Sequence, residues 1–242
     1  MRKLTVAAAS SLFLAVPFAQ ADVIGLGANV SYWDSDLSGR IVNDGDEVGV
    51  DNDLNLDSSS NTNATLYFEH PIPVLPNVRL NYTSVDLSGR GQVGVSGFDD
   101  VNGDVRSDLE IEQLDLTLYY EILDNWVNLD LGLTARNLSA ELTVREISGT
   151  DVSKTKVDGV VPMGYIAARF DLPFTGVSVG GAGNVISFDG DSLSDFNVYG
   201  QYEFALVQLR AGYRRLAVDY EDDDNTLDVD IDGPFISAGI SF

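Results

Sequence analysis

The chain has 242 residues, with 38 acidic against 14 basic side chains, a formal net charge of −24, no cysteine and one histidine. That balance excludes passive nucleic-acid binding, which needs a basic face. Missing thiols exclude a disulfide framework and a zinc–thiolate site. At 44% hydrophobic the chain is too apolar for a disordered acidic polymer, so it can bury one sizeable domain.

The first element predicted is a removable one. Met1-Arg2-Lys3 precedes a mostly apolar run from Leu4 to Phe18, and Ala19-Gln20-Ala21 follows. A basic stretch, an apolar stretch and an A-x-A site form a secretory signal. The run is shorter than the roughly 20 apolar residues of a membrane-spanning helix. Removal of residues 1–21 takes Arg2 and Lys3, leaving 12 of the 14 basic residues against all 38 acids. Residues 22–242 are then expected as a single exported domain.

From there the pattern has period 2 and not 3.6. Leu114, Leu116, Leu118 and Tyr120 alternate with Asp115, Thr117 and Tyr119; Val207, Leu209, Ala211 and Tyr213 alternate with Gln208, Arg210, Gly212 and Arg214. Such alternation marks strands with one apolar and one polar face. Ten strands are predicted, at 23–33, 61–70, 77–90, 107–122, 125–142, 158–171, 176–190, 193–204, 206–219 and 227–242. Eight is the alternative if one hairpin is misread. Short turns at 70–77, 124–125, 172–176 and near Ala205 occupy one end. Mostly long acidic connections at 34–60, 91–106, 145–157 and 221–226 occupy the other.

Two features favour a closed antiparallel transmembrane β-barrel over a soluble sandwich. Aromatic residues collect at strand ends, with Phe68, Tyr120, Trp126, Phe170 and Phe204 toward the short turns and Tyr32, Phe196 and Tyr213 toward the long loops. Rings of that kind suit membrane interfaces. The opposite face carries both signs of charge: Arg79, Asp115, Asp130, Arg136, Arg169, Glu203, Arg210 and Arg214. In a small barrel these line the lumen, where buried charges must be paired or hydrated. Short turns then lie on the periplasmic side and long acidic loops outside. The alternation slips near 112–113, 136–138, 215–216 and 233–234. These slips are read as β-bulges, with hairpins that project above the membrane and change face. Pro162 and Pro234, which cannot donate to a ladder, suggest bulges or strand starts.

The chain ends with Ile236, Ala238, Ile240 and Phe242 on one face. This end looks like the C-terminal recognition strand of Gram-negative outer-membrane proteins, read by the barrel-assembly machinery. Together with the alternating strands and the Gly180-Gly181 pair, it resembles small proteobacterial outer-membrane β-barrels of a family described only as "outer membrane protein". The resemblance spans residues 22–242. It implies a fold, an outer-membrane location in a Gram-negative bacterium, and partners in outer-membrane lipid, lipopolysaccharide, periplasmic chaperones and the assembly machinery. It implies no catalytic residues.

Chemistry is harder to place. His70 precedes Pro71 in a short turn, at the wrong end for outer-leaflet or extracellular substrates, so no enzyme and no catalytic residue is expected. Asp51, Asp53, Asn55 and Asp57 put oxygen ligands at alternate positions and are weak calcium candidates, without completing the calcium-loop motif. No resident cofactor is expected beyond divalent cations at acidic loops. Asp36-Leu37-Ser38-Gly39-Arg40 recurs as Asp86-Leu87-Ser88-Gly89-Arg90; convergence of rim chemistry is the preferred reading, and hairpin duplication, the alternative, would set both Arg40 and Arg90 toward lipopolysaccharide phosphates. The functional expectation is a structural or surface barrel with a narrow or side-chain-plugged lumen. A narrow channel for small solutes, with anions as candidates, is the alternative; an adhesin, a receptor or an enzyme ranks below both.

Overall fold

The alternating segments form strands because each has one face that suits an apolar surrounding and one that suits a polar one. In a computed structural model, residues 24–43, 46–57, 60–98, 101–222 and 225–242 are described. Residues 1–23, which include the expected signal segment 1–21, and positions 44–45, 58–59, 99–100 and 223–224 lie outside the described residues.

The elements are β1 (Gly25–Asp34), β2 (Asp36–Asn43), β3 (Asp46–Gly49), β4 (Leu56–Asp57), β5 (Ser60–Glu69), β6 (Asn77–Phe98), β7 (Val101–Asp124), β8 (Val127–Glu146), β9 (Val152–Leu172), β10 (Val177–Phe188), β11 (Asp191–Phe204), β12 (Val207–Asp222) and β13 (Asn225–Ser241). Every pairing is antiparallel. The ring runs β1-β5-β6-β7-β8-β9-β10-β11-β12-β13 and closes where Gly27 to Trp33 of β1 pair with Ser241 to Phe235 of β13. Closure leaves the lower ring without an edge, while β3 and the upper part of β9 pair on one side only. The barrel therefore has ten strands, and the eight-stranded alternative is excluded.

Two expectations change. First, the long connections are mostly continued strand. β6 and β7 pair nearly to their tips, and β8 pairs with β9 through Arg145↔Val152. The 34–60 connection contains β2, which extends the sheet along β13, and the short β3 and β4. Second, the slips near 112–113, 136–138, 215–216 and 233–234 are not bulges. Pairing runs through all four in unbroken register on at least one side; the described register shifts lie at Val93/Phe98 and Glu121/Leu123.

What changes at the slips is the surrounding of each face. On β6, Asn77, Arg79, Asn81 and Thr83 face inward, followed on the same face by the buried Val85, Leu87 and Val93. On β7 the inward Tyr119, Thr117, Asp115 and Gln113 give way to Ile111, Leu109 and Val105. The outward face inverts in step, from Leu118, Leu116 and Leu114 to Glu112, Glu110 and Asp108. The projecting hairpins with a changed face are real, and no extra residue is needed to make them.

The prolines fall at gaps in the ladder. β9 pairs with β10 only as far as Gly164↔Val185, so Pro162 lies past the last donor needed on that side. Pro234 sits between the β13–β1 pairing, which ends at Phe235↔Trp33, and the β13–β2 pairing, which begins at Asp232↔Asp36.

Candidate functional site: the barrel interior

Three layers fill the interior. The uppermost is an apolar core at the long-hairpin end. Trp33, Leu37, Val85, Leu87, Leu142, Val144, Met163, Leu193, Leu216 and Ile231 are buried together, with Val48, Val50, Leu54 and Leu56 from the segment after β2. That segment folds inward as a cap. It is tied by Val50 N–H to the Gly39 carbonyl (3.1 Å) and by Gln92 N–H to the Asp53 carbonyl (2.8 Å). Glycine is required beneath it: a Cβ on Gly89 or Gly91 would collide with the backbone of Asn55 or Asp53. The repeated D-L-S-G-R sequence is explained by this packing. In both copies Leu points into the core and Arg40 and Arg90 face out; Gly89 admits the cap, whereas a Cβ on Gly39 would meet the Asp228 carbonyl of β13.

Below the core lies a layer of paired charges. Arg136, fully buried, donates from Nε and Nη2 to Asp115 (2.8 and 2.7 Å) and from Nη2 to Asp195 (2.7 Å). Arg214 donates to both Asp195 oxygens (2.9 and 2.7 Å) and stacks 4.7 Å from the Trp33 ring. Two arginines and two aspartates thus form a neutral chain across the lumen, and the indole caps it from above. Trp33 Nε1 donates to the Gly233 carbonyl (3.2 Å), so its polar atom is satisfied.

The third layer is a vestibule at the short-turn end, a cavity of about 610 Å³. Arg79, Arg169 and Arg210 line it, with Glu69, Glu121, Asp130, Glu203 and several tyrosines. Arg169 pairs with Asp171 (2.9 Å). Arg79 donates to the Tyr165 hydroxyl (3.1 Å) and Arg210 to Gln201 (2.6 Å).

All eight lumen charges lie on the inward face, but their pairing differs from that expected. Asp130 and Glu203 make no ion pair among the described residues, whereas Asp195 and Asp171, absent from the expected set, supply partners. Strand parity would have found both: Asp195 shares a face with Asn197, Tyr199 and Gln201, and Asp171 with Arg169. The eight girdle aromatics, Phe68, Tyr120, Trp126, Phe170, Phe204, Tyr32, Phe196 and Tyr213, all point outward and are exposed. Ile236, Ala238 and Ile240 form the outward face of β13, and Phe242, just past its end, is exposed with them.

His70 stays in its turn. Ile72 N–H reaches its Nδ1 (3.3 Å), and its Nε2 lies 3.2 Å from the Pro76 carbonyl, so the neutral Nε2–H tautomer satisfies both contacts. Of the calcium candidates, Asp53 accepts from Gly49 N–H (2.7 Å) and Asp51 and Asn55 are exposed; the Asp57 side chain lies outside the described set. The alternation there is that of the cap, with Val48, Val50, Leu54 and Leu56 inward.

No family model and no curated protein matches the sequence. Among solved structures the chain is similar to the outer membrane protease OmpT from Escherichia coli, at 10% identity over 92% of this chain and 98% of that one, with a TM-score of 0.56. It is also similar to the translocator domain of the autotransporter NalP from Neisseria meningitidis (9% identity, 91% and 88% covered, TM-score 0.46). A third is the attachment invasion locus protein Ail of Yersinia pestis (10%, 91% and 99%, TM-score 0.39). Its structural neighbours are outer-membrane β-barrels, and the fold is of that kind. At such identity the likeness to OmpT shows the fold and none of the chemistry.

Proposed function

We propose that this protein is a barrel of the Gram-negative outer membrane with a structural or surface role and a sealed lumen. The observation that carries the reading is the apolar core stacked on the Asp115–Arg136–Asp195–Arg214 chain. An ion crossing the barrel would have to break a buried charge network and then pass a dry hydrophobic layer, each unfavourable by several kcal/mol. The exposed aromatics at both ends of the outward apolar band suit two membrane interfaces. In this reading the short turns face the periplasm and the acidic hairpins stand among lipopolysaccharide. The outward face of β13, ending at Phe242, meets the assembly machinery, with periplasmic chaperones acting before it. Catalysis is not part of the reading, because His70 is committed at the rim opposite the hairpins.

Conductance in planar bilayers tests the seal. Refolded protein is expected to add no steady current to the lipid background. A reproducible unitary conductance would establish instead the narrow channel.

A further inference from the structure

The vestibule holds charges of both signs that the barrel leaves without ion-pair partners. Arg79 on β6 donates to the Tyr165 hydroxyl and lies 5.9 Å from the centre of that ring. Arg210 on β12 donates to Gln201 and lies 4.7 Å from the centre of the Tyr199 ring. Neither guanidinium meets a carboxylate within ion-pair distance among the described residues, unlike Arg136, Arg169 and Arg214. In the same cavity Glu69 on β5 accepts from the Tyr119 hydroxyl (2.7 Å) and Glu121 on β7 from the Asn77 amide (3.1 Å). Asp130 on β8 lines it too, and none of the three carboxylates has an ion pair among the described residues.

Charges withdrawn from bulk water need compensation. A simple anion would satisfy the arginines but be repelled by the acidic wall, and a simple cation would do the reverse. A molecule carrying both groups satisfies both sets at once. We propose that the vestibule binds a small zwitterion of the amino-acid or short-peptide class, its carboxylate on Arg79 and Arg210 and its ammonium toward Glu69, Glu121 and Asp130. Bidentate arginine geometry favours a carboxylate. The volume of about 610 Å³ lies within the range of small-molecule sites. The cavity reaches the short-turn rim through Pro71, Ala205 and Phe242, so entry comes from that end whether or not the core above conducts. Binding and sealing therefore succeed or fail separately.

The test is calorimetric titration of the refolded full-length barrel in a non-ionic detergent with trialanine, acetate and methylammonium. Trialanine is expected to bind at least tenfold more tightly than either single-charge probe. Arg79→Gln and Arg210→Gln are each expected to weaken it at least tenfold, and Asp130→Asn to weaken trialanine while binding acetate at least as tightly as the parent. Heat-modifiable migration on gels confirms that each variant is folded. Where a variant does not fold, competition on the unaltered protein decides: acetate and methylammonium must each displace trialanine without displacing one another. Absence of trialanine binding, acetate binding as tight as trialanine, or indifference to both arginine substitutions would overturn the proposal.

Discussion

The charge layer offers the sharpest test of what holds the barrel interior together. Arg136→Met removes the central cation of the chain. Asp195 keeps Arg214, but Asp115 loses its only ion-pair partner among the described residues while it remains 1% exposed. Breaking a buried pair by deleting one member costs about 3–5 kcal/mol, mostly through the stranded charge. Arg214→Gln is milder, because Asp195 keeps Arg136 and Arg214 is less deeply buried; loss of hydrogen bonds to a charged group suggests about 1.5–3 kcal/mol. The double variant Asp115→Leu/Arg136→Met removes both charges and returns to within about 1 kcal/mol of the parent, or exceeds it. Equilibrium urea unfolding of the barrel in lipid vesicles, followed by tryptophan fluorescence and gel migration, gives all three values and the coupling between the positions. The reasoning fails if Arg136→Met loses less than about 1 kcal/mol, or if the double variant is as unstable as the single one.

Two further predictions concern the hairpin end. Gly89→Leu or Gly91→Leu drives a side chain into the cap backbone; such overpacking costs about 1–3 kcal/mol, and limited proteolysis is expected to cut within residues 49–56 while the barrel keeps its heat-modifiable migration. Asp158 lies on the outward face of β9 above the apolar band, where hydrogen bonds from Ser139 (2.6 Å) and then from Lys156 hold its carboxyl below the usual carboxylate range. A depressed value stabilises the fold above the unfolded-state pKa, and the contribution is lost as pH falls through the folded one. Carboxyl NMR should show Asp158 titrating below an ordinary aspartate, and Ser139→Ala with Lys156→Gln should restore it; an unchanged midpoint in that double variant would refute the assignment.

The ten barrel strands and the inward or outward sense of each named side chain were legible because period-2 alternation is local. The inner order of the lumen was not. Asp115 meets Arg136 as its register partner on the neighbouring strand, but whether Asp195 does depends on how β8 and β11 face one another across the barrel, 59 positions apart in the chain. Asp195 was therefore invisible as a partner although its face was readable. The cap was hidden for a different reason. Asp51, Asp53 and Asn55 drew attention as oxygen ligands, while the informative residues were the apolar ones between them, whose core lies on other strands.

The face inversion gives the net charge of −24 a location. A barrel wall within a membrane must be apolar outside and may be polar within; the same wall in water must be the reverse, since its interior becomes its only core. The swap occurs at one level around much of the ring. The last outward aromatic on β1, β6, β11 and β12 is Tyr32, Tyr82, Phe196 and Tyr213, and the next outward residues are Asp34, Ser84, Ser194 and Arg215. Above that line the outward positions of β7 and β13 carry Asp108, Glu110 and Glu112, and Asp228, Asp230 and Asp232. The acids crowd there because a strand that needs its inner face for Leu, Ile and Val has only its outer face left for water. At that height dense carboxylate also keeps tall, twisted hairpins from pairing with neighbours. The acidity is thus a consequence of an apolar core standing above the outward apolar band. A barrel whose lumen stayed polar to its tip would have no physical reason to invert.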